Sequence, residues 1–184
     1  MLSNILIGVA AVIALLAIVV ALQPSTFRVS RSAKIAASPA AVFAHVNDFH
    51  NWLAWSPWEK LDPLMKRTYE GAKAGTGAVY SWNGNNHVGE GRTTITESRP
   101  AELVKMRLEF FRPFKGDNDV EFTFKPEERG STVTWSMVGK KNFMAKAVGL
   151  FMNMDKMCGD QFDTGLANLK SVVESEREPQ RAAV

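Results

Sequence analysis

The sequence predicts an α+β protein: a curved antiparallel sheet of about seven strands wrapped on one long C-terminal helix, with two short helices after strand 1 and an N-terminal transmembrane helix. Three observations predict it. An uncharged apolar run fills residues 5–22, segments with period-two alternation follow one another from about residue 65 to 139, and apolar residues then recur at three- and four-residue steps from roughly Asn142 to Glu174. An antiparallel sheet with one apolar face must cover that face, and the last helix is the only element large enough to do it. A strongly curved sheet on one helix leaves room for a cavity between them.

The run from Ile5 to Leu22 holds only Ile, Leu, Val, Ala and one Gly, with no charge before Arg28. Its 18 residues span about 27 Å as a helix, close to the thickness of a bilayer core. A core helix would show a polar face, and this run has none. A cleaved signal peptide is the alternative, but no basic residue precedes the run and no A-x-A site lies inside it. Residues 1–24 therefore read as a single-span anchor, residues 25–174 as the folded domain and 175–184 as a polar tail. Arg28, Arg31 and Lys34 follow the span, a bias that by the positive-inside rule favours a cytoplasmic domain, but Arg28 and Lys34 also read as solvent-facing strand positions, which leaves the side open.

In "FRVSRSAKIAA", Phe27, Val29, Ala33 and Ile35 point one way, with Arg31 breaking the apolar face of a half-buried strand. "SPAAVFAHV" opens a helix with Ser38 as N-cap and Pro39 at the first helical position. "DFHNWLAW" gives a second helical stretch, capped by Asp48 and ended by Pro57. The strands that follow carry Ala78, Tyr80 and Trp82, then Ile95 in phase with Gly89 and Gly91, then Val104, Met106, Leu108 and Phe110 on their inner faces. Val120, Phe122 and Phe124, and then Val133, Trp135 and Met137, continue the pattern, with short polar turns between strands. Paired glycines on an inner face imply a bent strand or room for something bulky.

At 46% hydrophobic and 22% charged, with a net charge of +3, the 184 residues suit one ordinary domain plus an accessory segment. Lys and Arg are interleaved with Asp and Glu, which argues against a nucleic-acid surface. The single cysteine, Cys158, excludes an internal disulfide and a cysteine-based zinc site. His45, His50 and His87 lack metal-ligand spacing, and no nucleophile elbow, phosphate loop or dinucleotide fingerprint occurs, so no metal and no cofactor is expected. Glu90 is the one candidate general base, provided that bends at the neighbouring glycines turn it inward; otherwise it shares the outer face with Arg92. Tyr69 and Tyr80 could supply a hydroxyl.

"KIAASPAAVFAHVNDFHNWLAWSPW" (34–58), "GTGAVYSWNGN" (75–85), "VGEGRTTITESRP" (88–100) and "GDQFDTGLANLK" (159–170) resemble the START-like (SRPBCC) superfamily, in its bacterial polyketide cyclase/dehydrase-like branch. The resemblance spans nearly all of residues 27–174 and implies the helix-grip fold with a ligand cavity. That cavity would be lined by Tyr80, Trp82, Phe110 and Phe122 from the sheet. Trp135 and Met137, and Phe151 and Met154 of the last helix, would complete it. Of three tryptophans within seven positions, Trp52 and Trp55 are expected to pack, and Trp58 to sit at the mouth. Met144, Met152, Met154 and Met157 crowd the last helix, either as core or as soft ligand lining. The expected function is a membrane-anchored, non-catalytic binder of a hydrophobic small molecule: a lipid, isoprenoid or polyketide-like compound. A cyclase/dehydrase-type enzyme and a protein-interaction module with a filled core are the alternatives.

Overall fold

A computed structural model describes residues 2–150 and 153–182. Helix α1 (Leu2–Leu22) is the apolar run, long and apolar enough to cross a membrane, and only Val20 of it is buried. Residues 23–25 join it to strand β1 (Thr26–Ile35), the first of seven in an antiparallel sheet. After β1 come α2 (Pro39–Asn47), a turn of 3-10 helix, α3 (Trp52–Trp55) and a second 3-10 turn at Pro57–Lys60. Strands β2 (Lys66–Gly71), β3 (Ala78–Asn83), β4 (Glu90–Arg99), β5 (Leu103–Arg112), β6 (Gly116–Glu127) and β7 (Gly130–Lys140) then run as a meander, and β7 closes back on β1 to give the order β1-β7-β6-β5-β4-β3-β2. This is the expected curved sheet.

The caps act where the sequence places them. Ser38 accepts a hydrogen bond from the Ala41 amide at the start of α2, and Asp48 accepts one from the His50 amide. The C-terminal region differs from one continuous helix. It is divided into α4 (Phe143–Val148) and α5 (Met154–Ala182). Asn142 caps α4 through the Ala145 amide, Gly149 ends it, and Asn153 caps α5 through the Lys156 amide. Two capping asparagines and a glycine override an apolar periodicity that reads straight through them. Helix α5 also continues through the stretch read as a polar tail, to Ala182.

Helix α5 lies across β1, and two glycines set how close it comes. A side chain at Gly165 would meet the Trp135 ring at 2.8 Å and Pro57 at 3.1 Å; one at Gly159 would run into the Arg31 guanidinium. Arg31 does break the inner face of β1, and α5 answers it: its Nε donates to Asp163 at 3.1 Å and its Nη2 to Asp155 at 3.0 Å. The guanidinium beside Asp155 holds that carboxyl below the usual aspartate range.

Candidate functional site

The strand register gives the sheet two ends. Thr26 pairs with Lys140, Asn118 with Gly139, Phe110 with Gly116, Arg112 with Glu90, Glu90 with Asn83, and Asn83 with Lys66. These positions share the end that α1 enters, here the proximal end. At the distal end the inner face is sealed, with Ile35, Ala78, Ile95, Val104, Phe124 and Val133 all buried. At the proximal end Phe27, Trp82, Leu108 and Phe110 are only half-buried. Gly91 makes room for Trp82 there: a side chain on it would meet the Trp82 ring at 2.5 Å, so the bulk that the glycine admits is Trp82 itself.

Two aromatic groups run through the interior. Trp135 lies between Phe122, with centroids 4.7 Å apart, and Phe162, at 4.1 Å, with Trp55 and Trp58 against it edge-on. Its indole N–H is buried and meets no acceptor among the described residues. The second group is a stack on β2 and β3: His50 on Tyr69 at 4.3 Å, Tyr69 on Tyr80 at 5.4 Å, Tyr80 on Trp82 at 6.0 Å. Trp52 and Trp55 are buried, and their indoles donate to the Val46 and His45 carbonyls, which ties α3 to α2. Trp58 stays half-buried.

Beneath the second stack lies a polar cluster that the sequence does not announce. Glu59, in the 3-10 turn after Pro57, is buried; one carboxylate oxygen accepts from the Tyr80 hydroxyl at 2.5 Å and the other from Arg67 Nε at 2.7 Å. Arg67 also donates to the Met65 carbonyl at 2.8 Å. Burial, then the bond to Glu59, pushes the Tyr80 hydroxyl far above the usual tyrosine range. Tyr80 therefore keeps its proton at any ordinary pH and acts as a donor. The available signal was β2's alternation: Tyr69 faces inward, so Arg67 does too, and an inward cation requires an anion.

The other sequence-derived positions fall as follows. Phe122 and Met137 are buried in the core. Glu90 lies at the proximal edge, paired to Arg112 Nε at 2.8 Å, while Arg92 pairs with Glu109 rather than with Glu90. Met144 and Met157 are exposed, whereas Phe151, Met152 and the Met154 side chain lie outside the described residues. His45 pairs with Glu176 and His50 with Asp48. Among the described residues no group of three or more His, Cys, Asp or Glu could hold a metal ion.

A family model described as "Polyketide cyclase / dehydrase and lipid transport" matches residues 26–174. No curated protein matches the sequence significantly. Among solved structures, a protein from Thermobifida fusca is similar at 22% identity and TM-score 0.60, over 79% of this chain and 92% of that one. The Aha1 dimer from Colwellia psychrerythraea is similar at 14% identity and TM-score 0.58, over 80% of this chain and 96% of that one. The di-domain ARO/CYC StfQ from the steffimycin biosynthetic pathway is similar at 10% identity and TM-score 0.58, over 86% of this chain and 52% of that one. At these identities the likeness shows the fold alone.

Proposed function

Because the chain belongs to the polyketide cyclase/dehydrase and lipid transport family, we propose that it is a membrane-anchored module that binds a hydrophobic small molecule of lipid, isoprenoid or polyketide-like type and performs no covalent chemistry on it. One observation carries this reading: the concave face is sealed distally and half-open proximally, where Phe27, Trp82, Leu108 and Phe110 line it. Each ligand methylene buried there contributes about 0.8 kcal/mol, so an acyl or prenyl chain needs few polar contacts. Trp58 is half-buried and stands edge-on to Trp135 at 5.6 Å.

The non-catalytic part rests on how the candidate groups are engaged. Both Glu59 oxygens are occupied, Tyr80 retains its proton, and Glu90 is held by Arg112 at the edge. Anchoring rests on α1, and the side on basic residues after the span. Arg31 has a folding reason to be basic, but Arg28 and Lys34 are exposed and favour the cytoplasmic face. A second reading, a cyclase- or dehydrase-type enzyme, draws on the buried Glu59–Tyr80 pair.

Native mass spectrometry of residues 25–184, purified without detergent, tests the binding reading. The expected result is a reproducible adduct, lost on organic extraction and weakened by Trp82→Ala or Phe110→Ala in a folded protein. An apo mass that stays clean after incubation with mixed lipids would contradict it. Turnover of a released compound that Glu59→Gln abolishes would favour the enzyme.

A further inference from the structure

The exposed apolar side chains outside α1 are not scattered. With Leu53 and Met157 set aside, all the large ones among the described residues belong to the proximal end. Leu64 (92% exposed) lies in the connection to β2, Phe114 (81% exposed) at the tip of the β5–β6 hairpin, and Phe143, Met144 and Val148 along α4. The distal turns at 72–77, 100–102 and 128–129 hold Lys73, Thr76, Glu102, Glu128 and Arg129, and no exposed large apolar residue. A soluble surface has no reason to segregate its apolar residues this way.

The tether supplies the reason. Leu22 ends α1 and Thr26 begins β1, so full extension of the link reaches only about 14 Å. The proximal end is held beside whatever surrounds the apolar helix. Helix α4 lies against α1: Lys146 Nζ donates to the Ala21 carbonyl at 3.2 Å, and the Lys141 amide to the Ser25 carbonyl at 2.8 Å. Charge has the matching sign: Lys66, Lys115, Lys140 and Lys141 at this end have no ion-pair partner among the described residues, against Asp62 and Asp119 among the acids, while Asp117 is taken by Arg107 and Glu90 by Arg112. Apolar side chains interleaved with unpaired lysines suit the headgroup layer of an anionic bilayer.

We propose that the proximal end docks on the bilayer at two points, α4 through Phe143, Met144 and Val148 and the β5–β6 tip through Phe114, so that the half-open end of the concave face opens onto lipid. The inference rests on α1 being a membrane span. It makes the ligand one that enters from the bilayer without crossing water.

The test uses the full chain with Cys158→Ser in phosphatidylcholine/phosphatidylglycerol vesicles, with one environment-sensitive fluorophore at a time at I13C, F114C, M144C or E128C, and spin-labelled lipids as depth-resolved quenchers. All four positions are exposed, so labelling spares the core. The expected result is deep quenching at 13, shallow quenching at 114 and 144 several-fold above that at 128, and weaker quenching at 114 and 144 in uncharged vesicles. Quenching at 13 with 114 and 144 no different from 128 would overturn the docking and leave the anchor standing. Absence of quenching at 13 would overturn both. Quenching at 144 but not at 114 would overturn the two-point contact.

Discussion

The two ends of the sheet are built from the same strands and the same alternation, yet they finish differently. Distally, Phe124 meets Phe43 edge-on at 5.7 Å under α2 and is buried; proximally, Phe110 meets Trp82 edge-on at 5.8 Å and stays half-exposed. The difference lies in what covers them. Helices α2 and α3 and the glycine-faced middle of α5 seal the distal and central face, while α4, which follows the proximal end of β7, packs against α1. Identical strand chemistry becomes closed core at one end and a half-exposed face at the other because of the cover.

Truncating one phenylalanine at each end sharpens this most. Phe124→Ala should cost about 3–5 kcal/mol in urea unfolding, without a specific effect on ligand affinity. Phe110→Ala should cost less than about 2 kcal/mol, because its ring is already partly in water, and should weaken apolar ligand binding several-fold. Equal stability losses would break the contrast.

Gly165→Ala tests the seal. The helix would gain about 1 kcal/mol of propensity, but the added carbon meets Trp135 and Pro57, and overpacking costs about 1–3 kcal/mol. A net loss in unfolding free energy is expected; a gain would mean α5 rides higher than described.

Tyr80→Phe removes a bond to a buried carboxylate, worth about 1.5–3 kcal/mol. The sign with pH follows from the raised Tyr80 value: the contribution is complete below the free-tyrosine value of 10.0 and is lost as pH rises above it. The stability difference between wild type and Tyr80→Phe should be flat from pH 6 to about 9 and shrink above 10; a difference that grows with alkalinity would contradict the assignment. At the bottom of the range, Arg92→Ala, which breaks an exposed pair with Glu109 at 2.6 Å, should change stability by less than about 1 kcal/mol.

Much of this architecture is legible in the sequence. Period-two alternation identifies the strands, Ser38 and Pro39 start α2, and the clustering of Trp52 and Trp55 signals packing. The rest escapes for physical reasons. Periodicity has no term for the capping of Asn142 and Asn153, so the α4–α5 break is invisible to it. Glu59 sits in a short turn with no period at all, and only its partner's place on the inner face of β2 betrays it. Arg31 is the same lesson in β1: an inward cation asks for acids, and α5 holds two, one at Asp155 and one two turns on at Asp163. The openness of the proximal face depends on what covers each strand, which no strand's own sequence encodes.

The most direct measurement is tryptophan fluorescence of residues 25–184 titrated with a brominated fatty acid, whose bromine quenches indoles in contact with it. If the proximal half holds apolar ligand, quenching will saturate in the wild type and nearly vanish in Trp58→Phe/Trp82→Phe, leaving the signal of Trp52, Trp55 and Trp135 untouched. Quenching that survives that double substitution, or none at all in the wild type, would contradict the division into a sealed and a receiving end.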